Sequence, residues 1–192
     1  MALPGITNGN EFYSAHYLES VLTGDIKKVR ERWAESAGEE PTPEAAFKAL
    51  RKPWQKLREA ELGISGDPAE RLRLQRELFF QPLCEALGYP YAPRAEPVVI
   101  GGEAYQIPLL GEVANAKGEP LLWLVECFNP SDEAGDPLEL PIAISWACQI
   151  DDPSLGLVLE GETWEELISE RVFGQELPPR WVLAVSRDQL LL

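Results

Sequence analysis

The apolar residues of the first 88 positions recur at the spacing of a helix. Ile26, Val29 and Trp33 lie three and four residues apart, so they share one face of a helix predicted from Asp25 to about Ala37. The other positions of this stretch are mostly charged or small. The pattern therefore predicts an amphipathic helix with one face available for packing.

Two further helical stretches follow before residue 88. Thr42-Pro43 provides an N-cap and a first helical position for one of them, and Pro53 is expected to kink or divide that helix. Asp67-Pro68 offers the same kind of start for the next stretch. That stretch is expected to end at Gly88, because glycine commonly terminates helices.

The pattern changes after Tyr89 to short apolar runs separated by Gly, Pro and Asn, which is typical of β-strands. Gly101-Gly102 suits a tight hairpin turn, so an antiparallel meander is predicted. Its three strands are expected at Pro97–Ile100, Tyr105–Val113 and Leu121–Phe128. Residues 129–140 are rich in Asp, Glu, Pro and Gly and are expected to form a solvated excursion.

The last part of the chain combines one helix with two more strands. Thr163 and Glu166 have the spacing of a capping box, at the start of a helix predicted over Trp164–Phe173. Strands are predicted at Trp181–Val185 and Leu190–Leu192. We expect these two strands to be neighbours or near-neighbours in the sheet and the terminal leucines to be substantially buried.

Together these elements predict an α/β fold. Residues 1–88 form its helical N-terminal part, and residues 89–192 form a mixed β-sheet flanked by helices. With 192 residues, 45% of them apolar, the chain is expected to make one compact domain. Because it stops inside the apolar run 190–192, we expect it to be a fragment of a longer protein.

Charge is distributed unevenly along the chain. The net charge of -15 opposes attraction to phosphate backbones and anionic lipid, and it excludes a strongly basic nucleic-acid clamp. Residues 26–76 are the exception, with twelve basic residues against nine acids. Their helices offer the candidate DNA-binding residues Lys48, Lys52, Lys56 and Arg71. The alternative is that these cations belong to ordinary charge-paired helix faces in solvent.

The cysteines and the start of the chain bear on its location. Cys84, Cys127 and Cys148 are odd in number and widely spaced, which favours neither a disulfide framework nor a metal site. The first residues lack a signal peptide pattern, and no apolar run approaches the length of a membrane span. We therefore expect a cytoplasmic protein without a membrane partner.

One acid lies on the third predicted strand, and two others precede it. The order helix, three strands, helix, strand, with Glu126 on the third strand, resembles the PD-(D/E)xK nuclease-like fold. The resemblance implies Glu112 and Glu77 as the further acids of a metal-dependent site. It also implies a lysine two residues after Glu126, but this chain has Phe128 there. We therefore expect a vestigial nuclease site with no bound metal, and a role for Mg²⁺ only if the site is active.

Two short stretches, residues 6–18 and Glu176–Leu183, resemble the N-terminal region of bacterial type IIG-like restriction-modification proteins and phage-defence adenine-specific DNA methyltransferases. The resemblance implies a parent chain with an N6-adenine methyltransferase domain that uses S-adenosylmethionine. The Asn-Pro-Pro-Tyr signature of that domain is missing, since Asn129-Pro130 is followed by Ser131. No cofactor is therefore expected in this chain itself.

These observations predict a non-catalytic N-terminal domain that engages DNA or acts as a scaffold in such a methyltransferase. Double-stranded DNA would then be reached through the rest of the parent chain. One alternative is a protein-protein docking module of a bacterial defence complex, with other defence proteins as partners. A second alternative is an active metal-dependent DNA endonuclease domain.

Overall fold

The structure, a computed structural model, describes residues 13–64, 67–128, 136–142 and 161–192. Much of the 6–18 stretch and of the 129–140 excursion, together with Cys148, lies outside the described residues. The chain divides into two compact units, Met1–Ala49 and Leu50–Leu192. This boundary differs from the predicted one after residue 88, because the helices that follow Leu50 share a hydrophobic core with the sheet.

The first unit is built from helices. A π-helical turn at Tyr17–Val21 leads into α1, Leu22–Ser36, and α2 follows at Pro43–Ala49. α1 begins three residues before the predicted start at Asp25, which instead lies in its first turn, 3.7 Å from the Nζ atom of Lys28. No residue of these three elements is fully buried.

Helices also open the second unit. They are α3 at Arg51–Leu62, α4 at Pro68–Gln75 and α5 at Gln81–Leu87, with a π-helical turn at Arg76–Phe80 before α5. The break predicted at Pro53 occurs at Leu50 instead, because proline in the first turn of a helix removes an N–H that has no partner there. Asp67 caps α4, and Gly88 ends α5 with a φ of 73°, both as predicted.

A five-stranded mixed sheet follows, with its strands in sequence order. They are β1 at Arg94–Ile100, β2 at Glu103–Ala114, β3 at Pro120–Glu126, β4 at Trp181–Val185 and β5 at Leu190–Leu191. β1, β2 and β3 form the predicted antiparallel meander. β4 runs parallel to β3, and β5 runs antiparallel to β4. The predicted α/β class with a mixed sheet is thereby confirmed.

Another helical segment lies between β3 and β4 along the chain. It begins as α6, Trp164–Glu166, and continues as a π-helical turn at Leu167–Val172. The predicted capping box is present, because the Thr163 side chain accepts the Glu166 N–H while the Glu166 carboxylate accepts the Thr163 N–H. Among the helices of the described ranges, none is both long and apolar enough to cross a bilayer.

Helices cover both faces of the sheet. The face that packs against the α6 segment carries Ile107, Leu109, Trp123 and Val125, together with Trp164 from the helix. The face that packs against α5 carries Leu110, Leu122 and Leu124, together with Phe80 and Leu83. Neighbouring residues such as Trp123 and Leu124 therefore belong to different cores, as the alternation of side chains in a strand requires. A register shift in β2 between Leu109 and Gly111 interrupts this alternation and leaves Leu110 and Gly111 on the same face.

The hairpin between β1 and β2 fixes which backbone groups of β1 face its open edge. Gly101 and Gly102 have φ angles of 61° and 89°, as a two-residue hairpin turn requires, and Ile100 pairs with Glu103 next to the turn. The closing pair of such a hairpin is hydrogen-bonded, and hydrogen-bonded and non-hydrogen-bonded pairs alternate from there along the strands. Pro97, three residues before Ile100, is therefore in a non-hydrogen-bonded pair, and its backbone faces away from β2. No strand of the described residues pairs with the other side of β1, so a proline lies in the middle of this edge of the sheet.

The carboxyl-terminal strand corrects one prediction. β5 pairs with β4, so the two terminal strands are neighbours as expected. The prediction that all three leucines are substantially buried was wrong, since Leu190 is 40% and Leu192 is 79% exposed. Of the three, Leu191 alone packs against the core. A two-residue strand at the sheet edge directs one side chain to each face and has solvent along its outer side.

Candidate functional site

Glu126 is a carboxylate inside the hydrophobic interior. It is the last residue of β3, a central strand whose last five residues are all buried, and it has no exposed surface. Across the parallel pair it lies opposite Val185 of β4. Its side chain shares the sheet face of Leu122 and Leu124, because these residues are two and four positions earlier in the strand. A charged group in this position needs a partner.

Arg76 is the partner of Glu126. Its Nε atom donates to both carboxylate oxygens, at 2.9 Å and 3.0 Å, and its Nη2 atom donates to Oε2. Arg76 opens the π-helical turn that follows α4, and its carbonyl oxygen accepts a hydrogen bond of 3.3 Å from the Tyr91 hydroxyl. One guanidinium therefore occupies both oxygens of the buried carboxylate and ties the helices to the end of β3.

Burial and the ion pair act on the protonation of these groups. Desolvation raises the pKa of Glu126, and the guanidinium of Arg76 opposes that rise. Desolvation acts to lower the pKa of Arg76, but its bonds to Glu126 outweigh it, so that pKa is raised. Burial, with the nearby Glu126, also raises the pKa of Tyr91 to about 12. The contact with Arg76 favours the ionised form of Glu126 and burial favours its neutral form, while the phenol of Tyr91 is neutral at neutral pH.

Glu112, the second predicted acid, has different surroundings. It lies on β2 opposite Trp123, whose indole Nε1 donates to it at 3.2 Å. The Nη2 atom of Arg94 also donates to Glu112, at 2.6 Å, while the Nε atom of Arg94 donates to Glu96 at 2.7 Å. The side chains of this group are about one third exposed. Glu112 thus belongs to a partly solvated cluster at the strand surface.

The structure does not bring the three predicted acids together. Glu126 is three residues beyond Trp123, the partner of Glu112, which separates the two acids by about 10 Å along the strands and places them on opposite faces. Glu77 is exposed and pairs with Arg73 at 2.8 Å. The functional assignment of these acids stays a prediction, but they do not converge.

The residues present do not fit a divalent cation of the PD-(D/E)xK type. Both oxygens of Glu126 bind a guanidinium, and Glu112 faces the other core. Phe128 fills the expected lysine position and is fully buried. No group of three or more His, Cys, Asp or Glu that could hold a metal occurs among the residues that the structure describes.

The predicted DNA-binding residues also lie in unlike settings. Lys48 forms an ion pair of 2.7 Å with Glu44 in the first unit. Arg71 is buried, with 8% of its surface exposed, so its prediction as a surface cation was wrong. The apolar spacing of α4 did not reveal that an arginine would face inward. Lys52 and Lys56 are exposed on α3, and no ion pair links them to another described residue.

Three residues of the Glu126 site were missed by the sequence reasoning. Arg76 ends the basic stretch 26–76 and has nothing in its local sequence that separates it from solvated cations, since its partner is fifty positions away. Tyr91 had no local signal. Gly111 faces the same side of the sheet as Leu124, and a Cβ there would overlap the carbonyl oxygen of Pro90. The absence of a side chain at Gly111 lets the 90–91 segment cross β2 and place Tyr91 beside Arg76.

Comparison with family models, with curated proteins and with solved structures gives no match to this chain.

Proposed function

We propose that this chain is a non-catalytic N-terminal domain of a bacterial restriction-modification or phage-defence DNA methyltransferase, in which it engages DNA or acts as a scaffold. The observation that carries the non-catalytic part is the Arg76–Glu126 pair. The Glu126 carboxylate has no exposed surface and already binds a guanidinium through both oxygens, which disfavours its use as a ligand of a metal or as a base for a water nucleophile.

The topology supports a relation to the PD-(D/E)xK nuclease-like fold. Helices precede a meander of three antiparallel strands, a further helical segment follows, and β4 is parallel to β3. This is the order that the sequence resemblance implies. In this proposal the domain keeps the nuclease-like fold, but an internal ion pair occupies the position of the catalytic acid. Methyl transfer with S-adenosylmethionine then belongs to another part of the parent protein.

A second candidate function is protein-protein docking in a defence complex. The observation that favours it is the apolar surface of the first unit, where Ile26, Trp33 and Phe47 are 40%, 39% and 52% exposed. Large apolar side chains that a helix leaves uncovered are typical of interaction surfaces. In this alternative, the first unit would bind a partner protein and DNA would not be bound.

The nuclease alternative is tested by incubating the purified chain with supercoiled plasmid and either Mg²⁺ or Mn²⁺. We expect no cleavage above a matched Glu126→Ala preparation. Cleavage that is lost in Glu126→Ala would overturn the non-catalytic proposal. Methyltransferase parentage is tested separately, by sequencing the gene around this coding region, where an Asn-Pro-Pro-Tyr motif in the same reading frame is expected.

A further inference from the structure

The exposed side of α3 differs from the other helix surfaces in the pairing of its cations. Arg51, Lys52 and Lys56 are all exposed, and within the described part of the chain no carboxylate pairs with them. We name these three residues the α3 cationic face. Most other helical cations have a carboxylate partner, as in the pairs Lys27–Glu31, Lys28–Asp25, Arg30–Glu44, Lys48–Glu44 and Arg73–Glu77. Arg32 of α1 is a single further exposed cation that no described carboxylate pairs with, whereas α3 has three.

The core fixes the direction of this face. Leu50, Leu57 and Glu61 are buried at intervals of seven and four residues, so they define the inward side of α3. Lys52 and Lys56 are one helical turn apart and lie on the opposite side. α3 therefore presents its lysines to solvent whenever the second unit is folded.

The neighbours of the face leave its charge largely uncompensated. Glu59 lies on the same side, but no ion pair joins it to either lysine. Arg58 is engaged elsewhere, since it pairs with Glu61 at 3.4 Å and its guanidinium lies 5.9 Å from the ring centre of Trp54. Among the residues that the structure describes, the cations of the face thus have no carboxylate partner.

We propose that the α3 cationic face binds the phosphate backbone of duplex DNA without reading its sequence, an inference that rests on the DNA-engaging part of the proposed function. A lysine that already pairs with a carboxylate must lose that partner to bind phosphate. An unpaired lysine releases only counterions, which favours association. The three residues of the face are therefore better prepared to contact phosphates than the paired cations are.

The same surface is poorly suited to a membrane. An interfacial helix inserts an apolar face between lipids, but the apolar face of α3 is already in the core through Leu50 and Leu57. The net charge of -15 opposes any polyanion at long range. Salt screens that repulsion beyond about 10 Å at 0.1 M, so binding depends on local contacts and is weak and strongly dependent on salt.

The test measures binding of the full chain to a fluorescent duplex over a salt series. With about three phosphates neutralised, log K should fall against log salt with a slope of about -3. K52E/K56E should weaken binding at least about ten-fold at low salt and bring the slope close to -1. K27E/K28E changes the net charge equally but removes only paired cations, so its slope should stay at the wild-type value.

Each other outcome overturns the inference in a recognisable way. If both double variants weaken binding equally, net charge alone acts and the α3 cationic face has no special role. Unchanged binding by K52E/K56E would place DNA elsewhere on the chain and leave the proposed function intact. If the wild-type chain binds no duplex at low salt, both the inference and the DNA-engaging function fail, and docking is favoured.

Two controls complete the experiment. Vesicles of phosphatidylglycerol and phosphatidylcholine are tested at the same salt, and binding as tight as that to the duplex would overturn the assignment to DNA. Lys52→Gln with Lys56→Gln serves as a second variant without charge reversal, and melting curves of all variants should match that of the wild type because these side chains are exposed.

Discussion

Two glutamates on adjacent strands each bind an arginine, on opposite faces of one sheet. Glu126 is completely buried under the helices, and Arg76 contacts both of its oxygens. Glu112 is partly exposed, and it shares Arg94 with Glu96. The residue types are the same, and the spacing in the sequence marked both as candidate acids. Their surroundings determine what each can do.

The difference has energetic consequences. A buried ion pair has a large desolvation cost, and only good geometry and further hydrogen bonds offset it, so its presence is weak evidence of net stabilisation. An exposed pair gains little because water screens it and both side chains lose freedom. Breaking the Arg76–Glu126 pair leaves a buried charge without a counterion, whereas breaking the Arg94–Glu112 pair leaves charges that water can solvate.

Arg76→Ala should give the largest effect. It leaves the Glu126 carboxylate buried without a counterion, and the expected loss of stability is about 3–5 kcal/mol. Urea or thermal unfolding of the variant measures it. The double variant Arg76→Met with Glu126→Leu should recover most of this loss, because apolar side chains need no counterion there. A double variant as unstable as Arg76→Ala would mean that the charge itself holds the fold together.

The stability of Arg76→Ala should also depend on pH. Burial raises the pKa of Glu126 above its ordinary value, and without Arg76 nothing close by opposes that rise. The unfolded chain then loses the Glu126 proton at lower pH than the folded chain, so stability should fall as pH rises from about 5 to about 8. Arg76→Ala with Glu126→Gln should lack this component. Parallel pH profiles for the two variants would contradict the prediction.

Gly111→Ala tests the buried face without changing a charge. The added methyl group would overlap the Pro90 carbonyl oxygen, so the 90–91 segment must move away from β2. We expect a loss of about 1–3 kcal/mol and weaker packing of Tyr91 near Arg76. Tyrosine fluorescence and chemical unfolding report both. Gly24→Ala is the control, because no atom beyond the adjacent helix backbone lies within 4 Å of the added group, and the stability of this variant should not fall.

Arg94→Ala should give the smallest effect. It removes the cation from the exposed cluster, while Glu112 keeps its hydrogen bond from Trp123 and gains water. The expected loss is about 0–1 kcal/mol, and added salt should reduce it further. Thermal unfolding at two salt concentrations measures this. A loss equal to that of Arg76→Ala would show that burial does not separate the two pairs.

Features encoded by neighbouring residues were predictable from the sequence. The Thr163 and Glu166 capping box, the Asp67 cap and the glycine turn after β1 all use contacts within a few positions. The short apolar runs separated by Gly, Pro and Asn also predicted the meander. Such signals lie within one element, so a single sequence contains them completely.

Features that depend on contacts between distant elements were not predictable. Nothing near Arg76 indicates that it turns inward to a carboxylate fifty residues away, or that Arg71 is buried in the same helical region. The lack of convergence of Glu112 and Glu126 follows from strand register, which spacing along the chain does not reveal. The requirement for Gly111 depends on the segment that crosses above it.

The proline in β1 bears on how this sheet behaves when chains are crowded. An open strand edge can recruit the edge of another molecule through its unpaired N–H and C=O groups, and this is a common start of aggregation. Pro97 has no N–H to offer at the centre of that edge. A strand of a second chain that paired with β1 would therefore lack one backbone hydrogen bond in the middle of the pair. β1 can therefore lie at the edge of the sheet with Val99 exposed and still resist edge-to-edge pairing with the sheet of another molecule.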